Sequence, residues 1–205
     1  FSTPSGPATT AFIGSEYFAR SYATTPPPYK YRWGVLVDMV GDADLQIYQE
    51  RNSMWWRDTR PLVGDIWETA RRLGVREFVA QKKYEIRDDH LKLHELAKIP
   101  TCDIIDFDYP YWHTEADAPQ NCSALSLAKV GWVLNEWLKA RGVAWTYFRD
   151  QPSLRLLDEQ PEHGCDLCSR FRRRAVYEVV QSLGANVIAF GHTADDFCEA
   201  LLRNT

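Results

Sequence analysis

Long apolar runs are missing from this chain of 205 residues. None approaches the roughly 20 consecutive apolar residues that span a bilayer. The N-terminus also lacks the basic stretch and apolar segment of a secretory signal. A cytoplasmic location is therefore expected, with any true start and signal lying upstream of Phe1. Cysteine is scarce: there are five, an odd number, and only Cys165 and Cys168 stand at a recognisable spacing, which argues against a disulfide framework. Excess positive charge is lacking too. With 24 Lys and Arg against 28 Asp and Glu, the net charge of −4 gives no global attraction for nucleic acid. Any such role would rest on a local patch, of which Arg170 to Arg174 is the one candidate. No internal repeat is present.

What remains is a composition 45% hydrophobic and 13% aromatic, with eight tryptophans, ordinary for a globular protein and sufficient for one substantial core or two small ones. Residues 1–10 are rich in Pro, Gly, Ser and Thr and read as coil. Gly14 to Ser21 carries an apolar stripe of helical period, ended by Pro26-Pro27-Pro28. Trp33 to Gly41 is nearly continuously apolar and predicts a strand buried on both faces, with Asp38 inside it in need of a partner. That partner is a backbone N–H, an arginine or a metal ion. Leu45 to Gln49 alternates like a strand. Leu62, Ile66, Ala70 and Leu73 set a helix over Asp58 to Leu73, closed by Gly74. Asp88-Asp89-His90 reads as a helix N-cap beside a surface histidine, with a helix from His94 to Lys98.

The stretch Asp103 to Thr114 draws the most attention. An apolar strand pattern at Ile104 and Ile105 runs into carboxylates, aromatics and His113, and Pro110 stops the ladder because it lacks an N–H. His113 is thus expected on a loop at a strand end, where open α/β folds place ligands, and a neutral imidazole flanked by acids suits a divalent metal. Ser123 caps a helix over Ala124 to Ala140 with Leu127, Val130, Val133, Leu134, Trp137 and Leu138 on its apolar side, closed by Gly142. Beyond it, Val143 to Phe148 reads as a strand, Gln151 to His163 as a polar loop, Ser169 to Leu183 as an amphipathic helix and Asn186 to Phe190 as a strand. That order implies a parallel βαβ crossover.

Two unrelated families are visible in these residues. Residues 12–141 resemble the C-terminal half of the zinc aminopeptidase and glutaminyl cyclase family. The resemblance is carried by Ile13 to Ala19, Leu36 to Gly41, Asp88-Asp89-His90, Ile105 to Thr114 with Asp117, and Cys122 to Trp137. It implies a mixed α/β sandwich, Asp38 and His113 at metal-ligand positions, Asp89 as a catalytic-site carboxylate beside the metal, and peptide N-termini as substrates. Zinc accepts imidazole and carboxylate donors and leaves a position open for water or a carbonyl. The family's first histidine ligand, bridging aspartate and catalytic glutamate belong upstream of Gly14, where this chain has only coil-like residues. Weak or absent zinc binding by this chain is the expectation.

Residues 142–205 resemble part of the PP-loop ATP pyrophosphatases that thiolate tRNA, of the 2-thiocytidine type. The match lies in Gly164 to Arg173 and Ala189 to Asp196, with Glu199 and Asn204. It implies Cys165 and Cys168 as iron–sulfur or sulfur-handling thiolates. It also implies Gly191, His192, Asp195 and Asp196 in a Mg-ATP site, and Arg170, Arg172 and Arg173 on tRNA phosphates. Soft thiolates suit such clusters, and an adjacent arginine patch lowers their pKa.

The expected architecture is therefore α/β: an incomplete zinc-exopeptidase-like sandwich over residues 1–141, followed by a PP-loop-like βαβ fragment over residues 142–205. Three functions follow: a zinc hydrolase or cyclase of peptide N-termini, an RNA-modifying sulfurtransferase fragment, and a catalytically silent fusion.

Overall fold

A computed structural model, which describes residues 11–143, 155–156, 159 and 164–184, turns the stripe at Leu62, Ile66, Ala70 and Leu73 into a helix over Arg60–Leu73. Gly74, left-handed at φ 72°, donates its N–H to Ala70 and Arg71 and stops the helix there. In chain order the elements are α1 Ile13–Thr24, β1 Gly34–Asp38, β2 Ile47–Gln49, α2 Arg51–Trp55, α3 Arg60–Leu73, β3 Phe78–Lys82, α4 Asp89–Glu95, β4 Thr101–Ile105, a 3₁₀ turn Pro119–Asn121, α5 Ala124–Ala140 and, after Gly142, α6 Gly164–Leu183. The chain divides into Phe1–Gly142 and Val143–Thr205.

In the first unit β1 pairs parallel with β4, Asp38 standing opposite Ile105. β2 pairs parallel with β3, with an irregularity between Tyr48 and Gln49. Alternation along β4 sends Cys102 and Ile104 into a core with α3 and α5, where Ile66, Val63, Val133 and Trp137 are fully buried. Asp103 points the other way, toward α4. Trp33 meets Trp137 edge-on at 4.5 Å, locking the start of β1 onto α5. Gly34 sits where a Cβ would come within 2.8 Å of Thr101 Oγ1, so β1 can approach β4 there only as glycine.

Several sequence expectations change. The strand predicted from Trp33 to Gly41 shrinks to five residues and is not buried on both faces: Val37 is 40% exposed, and Asp38 is exposed rather than interior. β1 has a ladder partner on one side alone among the described residues, so an apolar run that resembles a central strand lies at an edge. The helix expected at His94 to Lys98 lies earlier, at Asp89–Glu95, because Asp88 caps it by accepting the Asp89 N–H at 2.7 Å. The histidine expected on its surface, His90, is fully buried. On α5, Leu127 is 51% exposed, and Ser126 is buried in its place. Helix α6 begins at Gly164 instead of Ser169. The strands expected at Val143 to Phe148 and Asn186 to Phe190 lie outside the described residues, apart from Val143. No helix among the described residues is long and apolar enough to cross a membrane.

Ile66 is fully enclosed by the core. Ile66→Ala is expected to lower stability by about 3 kcal/mol, read as a fall in urea midpoint with an unchanged m-value. A change under about 1 kcal/mol would place the site in a collapsible periphery rather than the core.

Candidate functional site

Adjacent parallel strands deliver their following loops to one side of a sheet, and here β1 and β4 do so. Asp38 ends β1 and receives the Met39 N–H on Oδ1 at 2.9 Å, with Met39 in the left-handed region at φ 52°. Past it, Gly41 accepts from Ser123 N and Asn121 accepts from Ala43 N, pinning this loop to the segment that enters α5. The loop after β4 is fixed by Asp106, fully buried, which accepts the N–H groups of Gln46 and Asp108. Tyr109 then donates to Asp117 at 2.8 Å.

Between these loops lies a cavity of about 140 Å³ lined by Asp38, Met39, Gly41, Asp42, Tyr109, Trp112, Asp117 and Cys122. His113, exposed and left-handed at φ 57°, follows the lining Trp112 and stacks on its ring at 4.3 Å. Asp89 opens α4. Burial pushes the neighbouring Asp88 carboxyl up, and the charges of Asp38 and Asp89 push it the same way. Asp38, Asp88 and Asp89 thus share one acidic neighbourhood at the strand ends.

Behind it lies a group that sequence reasoning missed. His90 is buried with Nε2 3.4 Å from Glu50 Oε2 and Nδ1 3.5 Å from Asp103 Oδ2. Glu50 also accepts N–H groups of Asn52, Ser53 and Ile86 and the Ser53 hydroxyl. Burial pushes Glu50 up, but the imidazole and these donors outweigh it and hold the carboxyl below its usual range. Asp103 has no such donors on its oxygens. Burial, then the charges of Asp88, Glu50, Asp38 and Asp89, push it up to about 9, so it keeps its proton at neutral pH. The sequence held a signal: Asp103 interrupts an apolar strand and therefore demands a partner.

Of the predicted site residues, Asp38 and Asp89 come into one electrostatic neighbourhood, and His113 stands beside the cavity that Asp38 lines. Carboxylate and imidazole suit zinc chemically. Among the described residues, however, no group of three or more His, Cys, Asp or Glu side chains is arranged to hold a metal. On α6 the backbone places Cys165 and Cys168 in the first turns, followed by Arg170, Arg172 and Arg173. Arg170 and Arg173 are exposed. Gly191, His192, Asp195 and Asp196 lie outside the described residues.

Residues 10–138, more than half of the chain, match peptidase family M28, and the chain belongs to that family. Glutaminyl cyclase of Porphyromonas gingivalis shares its fold at TM-score 0.59 and 28% identity, over 67% of this chain and 51% of that one. A Zn-dependent exopeptidase from Parabacteroides distasonis does so at TM-score 0.58 and 29% identity, over 66% of this chain and 48% of that one. Fimbriiglobus ruber glutaminyl cyclase is 36% identical at TM-score 0.57, over 62% of this chain and 43% of that one. A different similarity joins the chain to tRNA-cytidine(32) 2-sulfurtransferases. That of Alcanivorax borkumensis is 37% identical over 75 residues, 35% of this chain and 26% of that protein. That of Vibrio cholerae is 39% identical over 74 residues, 35% of this chain and 24% of that protein. The chain therefore spans about half the length of the solved relatives and about a quarter of the sulfurtransferases.

The proton on Asp103 sets a pH dependence. Its folded pKa of about 9 stands above the ordinary 3.8, so between these values the folded state holds a proton that the unfolded chain has released. Stability from this group accordingly falls as pH rises across that window. Asp103→Asn, a permanently neutral mimic, is expected to flatten that fall, gaining on the wild type between pH 5 and pH 9 in urea unfolding. Parallel wild-type and variant profiles would show that Asp103 ionises normally.

Proposed function

We propose that residues 12–141 are the strand-end half of a zinc-dependent exopeptidase or glutaminyl-cyclase-type site, with Asp38 and His113 on the metal and Asp89 as the carboxylate beside it. The observation that carries this is the convergence of the loops after β1 and β4 on one small acidic and aromatic cavity, in a chain that belongs to peptidase family M28. Zinc bound there would polarise a substrate carbonyl. The chain's own contribution is to present Asp38 at the strand end, to hold Asp89 at the start of α4 within reach of its charge, and to line the cavity with Trp112 and Tyr109. Peptide N-termini are the substrate class, since carboxylates at the cavity attract an ammonium group and aromatic walls receive an apolar side chain. With two donors from the described residues, metal affinity is weak and turnover impaired.

A second reading concerns residues 142–205 and rests on the similarity to tRNA-cytidine(32) 2-sulfurtransferases. In it this part is a PP-loop-like fragment. Cys165 and Cys168 hold or transfer sulfur, Gly191, His192, Asp195 and Asp196 serve Mg-ATP, and Arg170, Arg172 and Arg173 meet tRNA phosphates. A third reading, a catalytically silent fusion, shares both lineages.

Zinc decides the first reading. A ligand that binds only the folded state stabilises by mass action, about 2.7 kcal/mol at a hundred times Kd. Zinc is expected to raise the melting temperature of the chain, and neither His113→Ala nor Asp38→Asn is expected to show the rise. A wild-type melt indifferent to zinc would leave the silent fusion standing.

Iron decides the second. Clusters normally take four ligands, mostly thiolate, so the anaerobically purified chain is expected to carry iron and sulfide well below cluster stoichiometry. A brown protein with iron and sulfide in equal amounts, lost in Cys165→Ala, would move the RNA-modifying reading to first place.

A further inference from the structure

His113 is exposed, has positive φ and, among the described residues, has one ring contact, the stack on Trp112. The turn that carries it is closed by the Thr114 N–H and hydroxyl, which both donate to Tyr111 O, so what is left to set the ring itself is the packing of Trp112. Trp112 packs on Phe107 at 5.2 Å, and Phe107 meets the Tyr84 ring edge-on at 5.3 Å. Tyr84 donates its hydroxyl to Asp108, the residue after Phe107. Lys83 closes the arrangement with Nζ 2.9 and 2.6 Å from the two Asp108 oxygens and 4.3 Å from the Tyr48 ring centroid. The Lys83–Asp108 pair is about two-thirds shielded from solvent, with side-chain exposures of 35% and 29%. Two carboxylate contacts and an aromatic face distinguish it from a mobile surface pair.

The anchoring side of this latch is tied into the sheet. Lys83 N donates to Gln49 O, and Tyr84 O accepts from Arg51 N, so both residues extend the β2–β3 ladder. Nothing in the proposed chemistry requires a lysine 30 positions before the histidine it would serve.

We infer that Lys83 is a positioning residue for His113: its clamp on Asp108, with Tyr84, fixes the aromatic relay Phe107–Trp112 against which the imidazole is set. The inference deepens the zinc reading, but its geometric part stands without a metal. Partners that orient a ligand from behind it change metal affinity without touching the ion.

The test compares the full chain with Lys83→Met, Lys83→Arg and Asp108→Asn. Each is treated briefly with diethylpyrocarbonate, and modification at His113 is read by peptide mass spectrometry against His94 as internal reference. His94 stacks on Trp56 at 3.6 Å and lies 3.1 Å from Asp58, apart from the latch. Lys83→Met and Asp108→Asn are expected to raise His113 reactivity severalfold at constant His94, and Lys83→Arg to restore it. Unchanged His113 reactivity, or an equal rise at His94, overturns the inference. In a second arm, zinc Kd by competition with a chelating dye is expected to weaken about tenfold in Lys83→Met. Absence of zinc binding by the wild type removes the zinc reading alone, because the reactivity arm still decides the role of Lys83. Equal zinc affinity in wild type and Lys83→Met, with zinc bound, overturns the inference.

Discussion

A fully buried imidazole between two carboxylates is the constraint on which the first unit depends. Glu50 lies before α2, His90 in α4 and Asp103 in β4, so three parts of the chain far apart in sequence meet at side chains that water does not reach. In a low-dielectric interior two facing carboxylates cannot both stay charged without strong compensation. The structure resolves this asymmetrically. Glu50 is surrounded by N–H and O–H donors and stays charged, while Asp103 lacks them and keeps its proton. Ser53 links the two, giving its hydroxyl to Glu50 and accepting the Asp103 N–H.

That asymmetry has a functional edge. His90 is the second residue of α4, so fixing its ring also fixes the first turn of the helix, where Asp88 caps and Asp89 faces the strand-end acids. A carboxylate cluster held by surface contacts alone would relax by side-chain rotation. Here its backbone is tied to a ring that is fully buried between two carboxylates.

Local chemistry made some of this legible in the sequence. The α3 stripe with Gly74 and the Ser123 cap of α5 each depend on a few neighbouring residues, and each stands as expected; β4, by contrast, ends at Ile105, five residues before the proline expected to stop it. The failures are non-local. A run such as Trp33 to Gly41 reads the same at the centre of a sheet or at an edge, because burial is decided by which strands arrive beside it. Asp88-Asp89-His90 signals a cap, but nothing within it tells that Glu50 and Asp103 will enclose the histidine. Asp38 and His113 stand out in the sequence itself, as a carboxylate in an apolar run and an imidazole at a strand end, while Asp89 is marked as a site residue by family resemblance alone. Residue types and spacing alone do not separate them from Asp42, Asp117 or Asp103, which the fold places around the same strand ends.

The family match and the sulfurtransferase similarity point to different donor chemistry. Zinc hydrolysis wants imidazole and carboxylate at strand ends, while sulfur transfer wants soft thiolates near an RNA-binding cation patch. The match to peptidase family M28 ends at residue 138, just inside the end of α5, and the first unit of the chain ends at Gly142. Among the described residues the cysteines of the first unit are Cys102, buried and pushed far from thiolate by its surroundings, and Cys122 at the cavity. Neither stands in a two-residue spacing that would supplement Cys165 and Cys168. Conversely, α6 brings arginines and thiols where a zinc site needs acids and imidazole. In the proposed readings, each chemistry would be completed by donors of its own kind.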